Sequence, residues 1–354
     1  MTWRKEAMSD KSEFQLMRAA QFPGQGRIAF TQKAVPEPGR GQVLIRVKAN
    51  ALCGSERDQI ADGVSVTPGH EVAGIVAAAG PDTHTPAGTA GVVYAIDFCG
   101  RCRSCRLGFT NECLDSDGVI GYTKDGGYAP YVVVNESVFF PVDADLPFSE
   151  ATLLLDTMGT SEHALELAQR SRPDIESLLI VGAGPIGLGV LLMAKRMLAP
   201  DLPVIISDLI PYRLKMAAAM GGLTVDLNES NLVEALRHYG FADVDIVIET
   251  AGRRAAREQC MGVLARRGVL VCIGASESLT VDILPDLIDP ERMIIGSQYF
   301  CFDRLPEYHR QLCEKSEHSK QLRRIITHRF GLDELKQAFD VFFSGQAGKV
   351  VIEP

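Results

Sequence analysis

Three side chains that are able to bind a metal ion lie at the two ends of the stretch CGSERDQIADGVSVTPGHE, residues 53–71. Cys53 opens the stretch, and the adjacent His70 and Glu71 close it. Thiolate, imidazole and carboxylate groups are all zinc ligands in proteins. Taken singly, each also has an ordinary explanation, because a lone cysteine usually behaves as a small buried apolar residue and a lone glutamate usually faces solvent. The rest of the chain therefore decides whether these side chains act together.

A second metal-binding pattern is the segment CGRCRSCRLGFTNEC, which contains four of the nine cysteines. They are Cys99, Cys102, Cys105 and Cys113. The short spacers let the backbone curl and the longer one closes the loop, as four thiolates around one tetrahedral zinc require. An odd number of cysteines favours reduced thiols over a disulfide framework. Because four thiolates leave no open position, this zinc is predicted to be structural; an iron–sulfur cluster on the same ligands is the alternative.

A third pattern is VGAGPIG, which follows the apolar run SLLIV and precedes a long apolar segment. Gly182, Gly184 and Gly187 thus form a G-x-G-x-x-G motif between a predicted strand and a predicted helix, the context in which this motif indicates a dinucleotide site. The helix N-terminus is expected to bind the pyrophosphate. The next predicted strand, VIISD, ends at Asp208, whose carboxylate is expected to bind the adenosine ribose hydroxyls. A glycine turn without a ligand is the alternative.

Two kinds of periodicity divide the chain. From Met17 to about Tyr131, short β-rich runs such as QVLIRVKA and EVAGIVAAAG alternate with turn signals, which predicts an antiparallel, barrel-like domain. From about Glu150, strands such as VDIVIE alternate with helical segments, which predicts a doubly wound parallel sheet. Upstream of the thiolate cluster and the dinucleotide site, Cys53, His70 and Glu71 therefore predict a second zinc site with an open position.

Composition excludes several other classes of function. The 354 residues are 46% hydrophobic and 23% charged, with a net charge of −9 and no long basic run, so nucleic acid and anionic membranes are not expected partners. An apolar run of about 18 residues, as a membrane span requires, does not occur. The charged start MTWRKEAMSDKSEFQL does not resemble a signal peptide, and a cytoplasmic location is the expectation.

Taken together, the motifs resemble those of the zinc-dependent medium-chain dehydrogenase/reductase family, in its polyol, sugar and threonine dehydrogenase branch. The resemblance rests on four matches in the family's order, which are Cys53-Gly54-Ser55, Gly69-His70-Glu71-x2-Gly74-x5-Gly80, the four-cysteine lobe and VGAGPIG. It covers residues 17–354. It implies an α/β fold with a GroES-like β-barrel catalytic domain, residues 17–165 and 300–354, and a Rossmann domain, residues 166–299. Residues 1–16 are left as an N-terminal extension.

The resemblance also implies roles for the site residues. Cys53 and His70 match ligands of the catalytic zinc, and Glu71 matches a carboxylate that is a ligand in some members and an outer-sphere group in others. Asp156, seven residues before His163, matches a further ligand. Ser55 matches the hydroxyl that passes on the substrate proton. The zinc would lower the pKa of the substrate hydroxyl before hydride transfer to the nicotinamide.

Two zinc ions per chain and NAD are the implied cofactors. The implied nucleotide-binding residues are Gly182, Gly184, Pro185, Ile186, Gly187, Asp208, Arg213 and Gly274. NAD is expected over NADP because the carboxylate of Asp208 would repel a 2′-phosphate. Arg213, one helical turn further on, either reaches towards a phosphate or stacks beside the adenine.

The substrate class follows from two features. Asp156 stands where simple alcohol dehydrogenases have cysteine, and the segment between Cys53 and His70 is polar and without an aromatic residue. These features favour a secondary alcohol of the sugar, polyol, cyclitol or amino-alcohol type. A simple alcohol dehydrogenase and a catalytically silent zinc-binding member are the alternatives.

The family usually has aspartate where this chain has Glu56, so a different contact to the metal site is expected. In the family that the chain resembles, nucleotide domains pair through apolar strands near the end of the sheet such as RGVLVCIGA and MIIGSQYF, so the resemblance implies a homodimer or homotetramer.

Overall fold

The computed structural model describes residues 15–199 and 201–354. Residues 1–14 of the predicted N-terminal extension lie outside the described residues. The strands are β1 (Leu16–Gly24), β2 (Arg27–Ala34), β3 (Gln42–Ala51), β4 (Glu71–Ala79), β5 (Ala90–Val93), β6 (Tyr131–Asn135), β7 (Phe139–Pro141), β8 (Leu178–Val181), β9 (Val204–Asp208), β10 (Leu223–Asp226), β11 (Val244–Glu249), β12 (Leu264–Cys272), β13 (Met293–Gly296), β14 (Ile326–Phe330) and β15 (Lys349–Ile352).

The α-helices are α1 (Glu56–Asp62), α2 (Arg103–Arg106), α3 (Phe148–Ala151), α4 (Ser161–Ser171), α5 (Pro185–Met197), α6 (Pro211–Ala219), α7 (Leu232–His238), α8 (Arg254–Val263), α9 (Leu305–Cys313), α10 (Glu317–Arg324) and α11 (Leu335–Phe343). None of the helices in residues 15–199 and 201–354 is long and apolar enough to cross a membrane.

The first large sheet is mostly antiparallel. Its strands lie in the order β14-β15-β3-β4-β5-β7, and β6 also pairs with β3. The side chains of Val43, Ile45 and Val47 on β3 are fully or almost fully buried and form part of its core. The last strand of the chain, β15, pairs antiparallel with β3, so the C-terminal segment completes the sheet that contains the His-Glu pair.

The second large sheet has six parallel strands in the order β10-β9-β8-β11-β12-β13. Renumbered from β8, this order is the doubly wound arrangement that binds dinucleotides. The strands β8, β9 and β11 are buried along their whole length, as expected when helices cover both faces of a parallel sheet. The predicted fold class is confirmed by these two sheets, and the domain boundaries at 165/166 and 299/300 stay predictions.

The two sheets are linked through the segment that precedes α4. Asp156–Thr160 forms a single π-helical turn, a rare geometry that often occurs at functional sites. Gly189 of α5 lies directly against this turn, because a Cβ at Gly189 would overlap the carbonyl oxygen of Thr157. The helix that follows the glycine motif therefore packs against the segment that carries Asp156.

Candidate active site and metal centres

Four potential ligands converge beside the ends of strands β3 and β4. One ligand atom from each of Cys53, His70, Glu71 and Asp156 lies within 4.8 Å of the others. His70 Nε2 is 3.4 Å from Asp156 Oδ2. The side chains of His70, Glu71 and Asp156 are buried, and Cys53 is half-buried. The sequence-predicted residues of the catalytic zinc site are therefore brought together by the fold.

Strand register explains why the distant Cys53 and His70 meet. In the antiparallel pair β3–β4, Ala51 at the end of β3 lies opposite Glu71 at the start of β4. Cys53 leaves one strand two residues after that pair, and His70 enters the other strand one residue before it. The intervening loop and helix α1 only have to return the chain to the neighbouring strand. Asp156 comes from outside this pair, from the first residue of the π-helical turn.

The electrostatics of this cluster fit a divalent cation. Burial and the neighbouring Asp156 carboxylate raise the pKa of the Cys53 thiol and, well above its usual range, that of Glu71. Burial also opposes ionisation of Asp156, but the His70 imidazole lowers its pKa to about 2. A bound metal ion reverses this repulsion and favours thiolate and carboxylate together. The donor set of one thiolate, one imidazole and carboxylates is one that zinc accepts.

Unpartnered atoms support the same fit. Within residues 15–199 and 201–354, Asp156 Oδ1 and Glu71 Oε2 are buried without a hydrogen-bond partner. Buried carboxylate oxygens are costly unless a hydrogen bond or a metal ion compensates them. Two such oxygens beside a cysteine and a histidine are what a metal site requires.

A buried lysine balances part of the negative charge. Lys349, the first residue of β15, has 1% of its side chain exposed and donates a hydrogen bond to Glu71 Oε1. Burial opposes its protonation, but Glu71 and Asp156 raise the pKa of the Lys349 ammonium. Lys349 thus engages one oxygen of Glu71 and leaves the other for the ligand cluster.

Glu56 stands where the family usually has an aspartate. Its longer side chain contacts the backbone of Cys53 and the phenol of Tyr128. Its Oε2 accepts hydrogen bonds from the amide of Cys53 at 3.0 Å and from the phenol of Tyr128 at 2.9 Å. Its Oε1 lies 3.8 Å from His70 Nδ1, beyond hydrogen-bond range. The carboxylate therefore fixes the cysteine backbone and approaches the outer nitrogen of His70; that this contact differs from the family's usual one stays a prediction.

Ser55, the predicted proton relay, lies at the edge of the cluster. Its hydroxyl donates to Cys53 Sγ at 3.3 Å and lies 2.6 Å from the phenol oxygen of Tyr122. The Tyr122 ring packs beside the His70 imidazole, with 5.2 Å between ring centroids. The site thus gains an aromatic neighbour from a segment outside residues 53–70.

The four-cysteine lobe is also assembled. One sulfur from each of Cys99, Cys102, Cys105 and Cys113 lies within 4.8 Å of the others, and all nine cysteines, every one within the described residues, are free thiols. Backbone amides point at these sulfurs: Cys105 N and Leu114 N both donate to Cys102 Sγ at 3.4 Å. These two bonds lower the pKa of Cys102 to about 6, which favours the thiolate that a metal ion needs.

The glycine motif has the geometry of a nucleotide-binding turn. It follows β8, and helix α5 begins at Pro185 with Gly184 as its N-cap. Gly182 has a φ of 101°, which only glycine adopts readily. A Cβ at Gly187 would overlap the carbonyl oxygen of Gly182, so this position needs glycine for close packing. Because Gly184 has no side chain, it does not cover the N-terminal amides of α5, which are the groups that bind phosphate at a helix N-terminus.

Asp208 and Arg213 flank this turn. Asp208 Oδ2 accepts from the amide of Ala183 at 2.6 Å, and Oδ1 accepts from the amide of Ile210 at 2.9 Å. A Cβ at Gly184 would lie 3.9 Å from Arg213 Nη1, which places the guanidinium beside the phosphate-binding turn. Burial lowers the pKa of Arg213 despite the nearby Asp208.

Gly274 completes the predicted nucleotide residues. It follows β12 and packs on the turn after β11, where a Cβ at Gly274 would overlap Gly252. Pro185 and Ile186 occupy the first turn of α5. The carboxyl ends of β8, β9 and β12 thus carry or precede most of the predicted residues at one edge of the sheet, where doubly wound folds bind nucleotides.

Sequence reasoning missed Lys349 and Tyr122 as parts of the site. The signal for Lys349 was a lysine inside the apolar strand GKVVIEP, where a buried charge needs a partner. Tyr122 had no such signal, because the turn GYTKDGG shows nothing of what it packs against.

Comparisons with known proteins agree with this geometry. Residues 39–144 match the alcohol dehydrogenase GroES-like domain, and residues 185–314 match the zinc-binding dehydrogenase domain. An uncharacterised zinc-type alcohol dehydrogenase-like protein of Escherichia coli is 30% identical over 358 residues, covering 95% of this chain and 98% of the relative. An L-threonine 3-dehydrogenase of Rhizobium johnstonii is 30% identical over 336 residues, covering 90% and 93%.

A solved structure has the same architecture. The cobalt- and zinc-bound thermostable alcohol dehydrogenase from Pyrobaculum aerophilum superposes with a TM-score of 0.81 at 27% identity, covering 96% of this chain and 100% of that one. The matched domains, the full-length relatives and the two assembled ligand sets agree. The chain belongs to the zinc-dependent medium-chain dehydrogenase/reductase family and is a zinc-dependent alcohol dehydrogenase.

Proposed function

We propose that this enzyme transfers hydride between a polar secondary alcohol and NAD. The observation that carries the proposal is the buried cluster of Cys53, His70 and Asp156 with Ser55 at its edge. These three ligands would hold the catalytic zinc, which when bound polarises the substrate oxygen and lowers the pKa of its hydroxyl. The thiolate lobe would hold the structural zinc.

The chain's own residues supply orientation and a path for the proton. Glu56 fixes the backbone amide of Cys53, and Lys349 fixes one oxygen of Glu71, so the ligand side chains are held before substrate binds. Ser55 Oγ accepts the proton of the substrate hydroxyl. The nucleotide turn beside α5 orients the dinucleotide, and the packing of Gly189 on the π-helical turn keeps that helix in register with Asp156.

A polar substrate is supported by the ligand set and by the relatives. Asp156 stands where simple alcohol dehydrogenases have a cysteine, and the relatives include L-threonine 3-dehydrogenases, named for a compound with a secondary hydroxyl next to an amino group. Tyr122, the aromatic residue found beside His70, presents a hydroxyl to Ser55 as well as a ring. We therefore favour a sugar, polyol, cyclitol or amino alcohol.

A substrate panel with NAD tests this function. The zinc-loaded enzyme is mixed with L-threonine, sorbitol, myo-inositol and 2,3-butanediol on one side and with ethanol and 1-hexanol on the other, and NADH absorbance is followed. We expect the highest kcat/KM within the first group. A preference for the primary alcohols would replace the proposal by a simple alcohol dehydrogenase. Lack of turnover together with one zinc per chain would indicate the catalytically silent alternative.

The cofactor preference gives a separate prediction at Asp208. Its carboxylate at the end of β9 repels a 2′-phosphate, so we expect NAD to be preferred, and we expect Asp208→Ser to move the kcat/KM ratio towards NADP by about tenfold or more. Asp208→Asn removes the charge while keeping an acceptor for the amides of Ala183 and Ile210. Asp226→Ser is the matched control, because Asp226 pairs with Asp208 in the strand register at the end of β10. Equal or better use of NADP by the wild type would contradict the assignment.

The edge of the parallel sheet predicts an oligomer. Within the described residues β13 has a neighbouring strand on one side only, and exposed apolar side chains lie on it and just before it: Ile283, Leu284, Ile288 and Ile294. An unpaired apolar edge favours pairing with another chain. We propose that β13 pairs with β13 of a second copy. Sedimentation at micromolar concentration should give a dimer or a larger assembly, and Ile294→Lys should weaken it.

Leu16→Lys is the control for that experiment, because Leu16 is an exposed apolar residue on β1, which belongs to a different sheet from β13. A monomer for the wild type, or equal dissociation by both variants, would count against the β13 interface.

A further inference from the structure

Tyr122 is held in a fixed place beside the proton-relay residue. Its amide donates to the carbonyl of Val119 at 3.1 Å, and the carbonyl of its neighbour Gly121 accepts from Gln59 Nε2 at 2.9 Å. Gly121 packs so closely on Gly69 that a Cβ would lie 2.7 Å from the Gly69 carbonyl carbon. The turn that carries Tyr122 is thus fastened to the residue that precedes His70.

The hydroxyl contact leads from the ligand cluster to a partly exposed residue. Ser55 Oγ lies 3.3 Å from Cys53 Sγ on one side and 2.6 Å from the Tyr122 oxygen on the other. Ser55 is half-buried, and so is Tyr122. The chain of contacts therefore runs from a ligand of the cluster, through two hydroxyls, to a residue that water reaches.

The positions of the protons around Ser55 assign a role to Tyr122. In the resting arrangement Ser55 donates its single proton to Cys53 Sγ, so at 2.6 Å the phenol of Tyr122 is the donor to Ser55. When a substrate hydroxyl donates to Ser55 Oγ, the serine must pass its own proton on. The phenol oxygen of Tyr122 has lone pairs to accept it and a proton of its own to release.

Within the described residues the hydroxyl of Ser55 hydrogen-bonds Cys53 and Tyr122, and no other titratable side chain. The titratable groups that face Tyr122 are His70, Cys53 and Glu56. His70 and Cys53 belong to the ligand cluster, and Glu56 Oε2 already accepts from Cys53 N and from Tyr128. Tyr122 is therefore the hydroxyl beside Ser55 that is free to move a proton.

We propose that Tyr122 is the second member of the proton relay: it accepts the proton of Ser55 and passes its own proton to water. This inference rests on the proposed function. In the oxidative direction the substrate C–H bond breaks and its hydride goes to the nicotinamide, while the O–H proton goes to Ser55. The serine proton goes to Tyr122 and the phenol proton to water, so that alcohol and NAD⁺ give ketone, NADH and one proton.

The test is Tyr122→Phe in the full-length, zinc-loaded enzyme, with the best alcohol of the panel. Positioned proton transfer contributes about 100-fold or more to rate, and a bypass through water recovers part of it, so we expect kcat to fall about 10- to 100-fold. The solvent deuterium isotope effect on kcat should rise, and the pH profile of kcat should change. NADH affinity, measured by fluorescence quenching, and a zinc content of two per chain should stay as in the wild type.

Two further variants keep the outcome decisive. Tyr131→Phe, a matched change on strand β6, should leave all these values unchanged. Ser55→Ala combined with Tyr122→Phe should be no slower than Ser55→Ala alone, because both residues act in one relay. If the wild type does not turn over any alcohol, the proposed function is contradicted. If the wild type is active and Tyr122→Phe has the same kcat, pH profile and isotope effect, the relay is overturned. Loss of zinc or of NADH affinity in Tyr122→Phe would assign a structural role instead and would also overturn it.

Discussion

Cys53→Ser should abolish alcohol oxidation while leaving the fold in place. Serine is a poor zinc ligand compared with a thiolate, and the remaining His70 and Asp156 would have to hold the ion in a cluster that burial makes unfavourable for charge. Mutation of a residue that only hydrogen-bonds a zinc ligand typically lowers metal affinity or activity about 10- to 100-fold. Loss of a ligand itself should therefore reduce kcat/KM by more than about 100-fold. Zinc content should fall from two ions per chain to one, and His70→Ala should give the same result.

Circular dichroism and thermal unfolding of Cys53→Ser should resemble those of the wild type, because the β3–β4 pairing that brings the ligands together consists of a long antiparallel register and buried apolar side chains such as Val43 and Ile45, none of which the substitution changes. Cys313→Ser, at the exposed end of α9, is the matched control and should keep full activity. A Cys53→Ser enzyme that retained most of its activity and two zinc ions would refute the catalytic assignment of this cluster.

Cys102→Ser should instead damage stability and solubility. Cys102 Sγ accepts two backbone hydrogen bonds and lies among the other three sulfurs, so its loss opens the lobe and releases the ion. Loss of a structural metal is among the changes that lower the free energy of unfolding by about 4 kcal/mol or more. In a chain of this size each kcal/mol corresponds to about 2 °C in Tm, so Tm should fall by about 8 °C or more.

Differential scanning calorimetry of identically prepared wild type and variant, with the zinc content of each measured, checks this outcome. The lobe lies away from the ligand cluster in sequence and supplies none of its atoms, so soluble Cys102→Ser protein should retain measurable turnover. Cys313→Ser again serves as the control. An unchanged Tm with one zinc ion lost would show that the lobe does not stabilise the fold, and an iron content with visible charge-transfer absorption would favour the iron–sulfur alternative.

The sequence by itself determined the parts of this protein whose geometry is local. Four cysteines within fifteen residues can meet only by curling one loop, and the structure brings their sulfurs together. The glycine motif is equally local, because a positive φ at Gly182 and the close packing of Gly187 follow from a strand that turns directly into a helix. The alternation of strands and helices likewise predicted the parallel sheet. Cys53, His70 and Glu71 were grouped from the patterns that follow them in the chain, whereas Asp156 was added only through the resemblance to a family.

The tertiary structure decided which distant residues meet. The register between β3 and β4 sets Cys53 beside His70, and the return of β15 to β3 brings Lys349, 278 residues further along the chain, onto Glu71. The contact between Ser55 and Tyr122 spans 67 residues and depends on a turn packed against Gly69. Such contacts depend on sheet pairing and close packing over the whole fold, and neither a spacing nor a residue type within one segment encodes them.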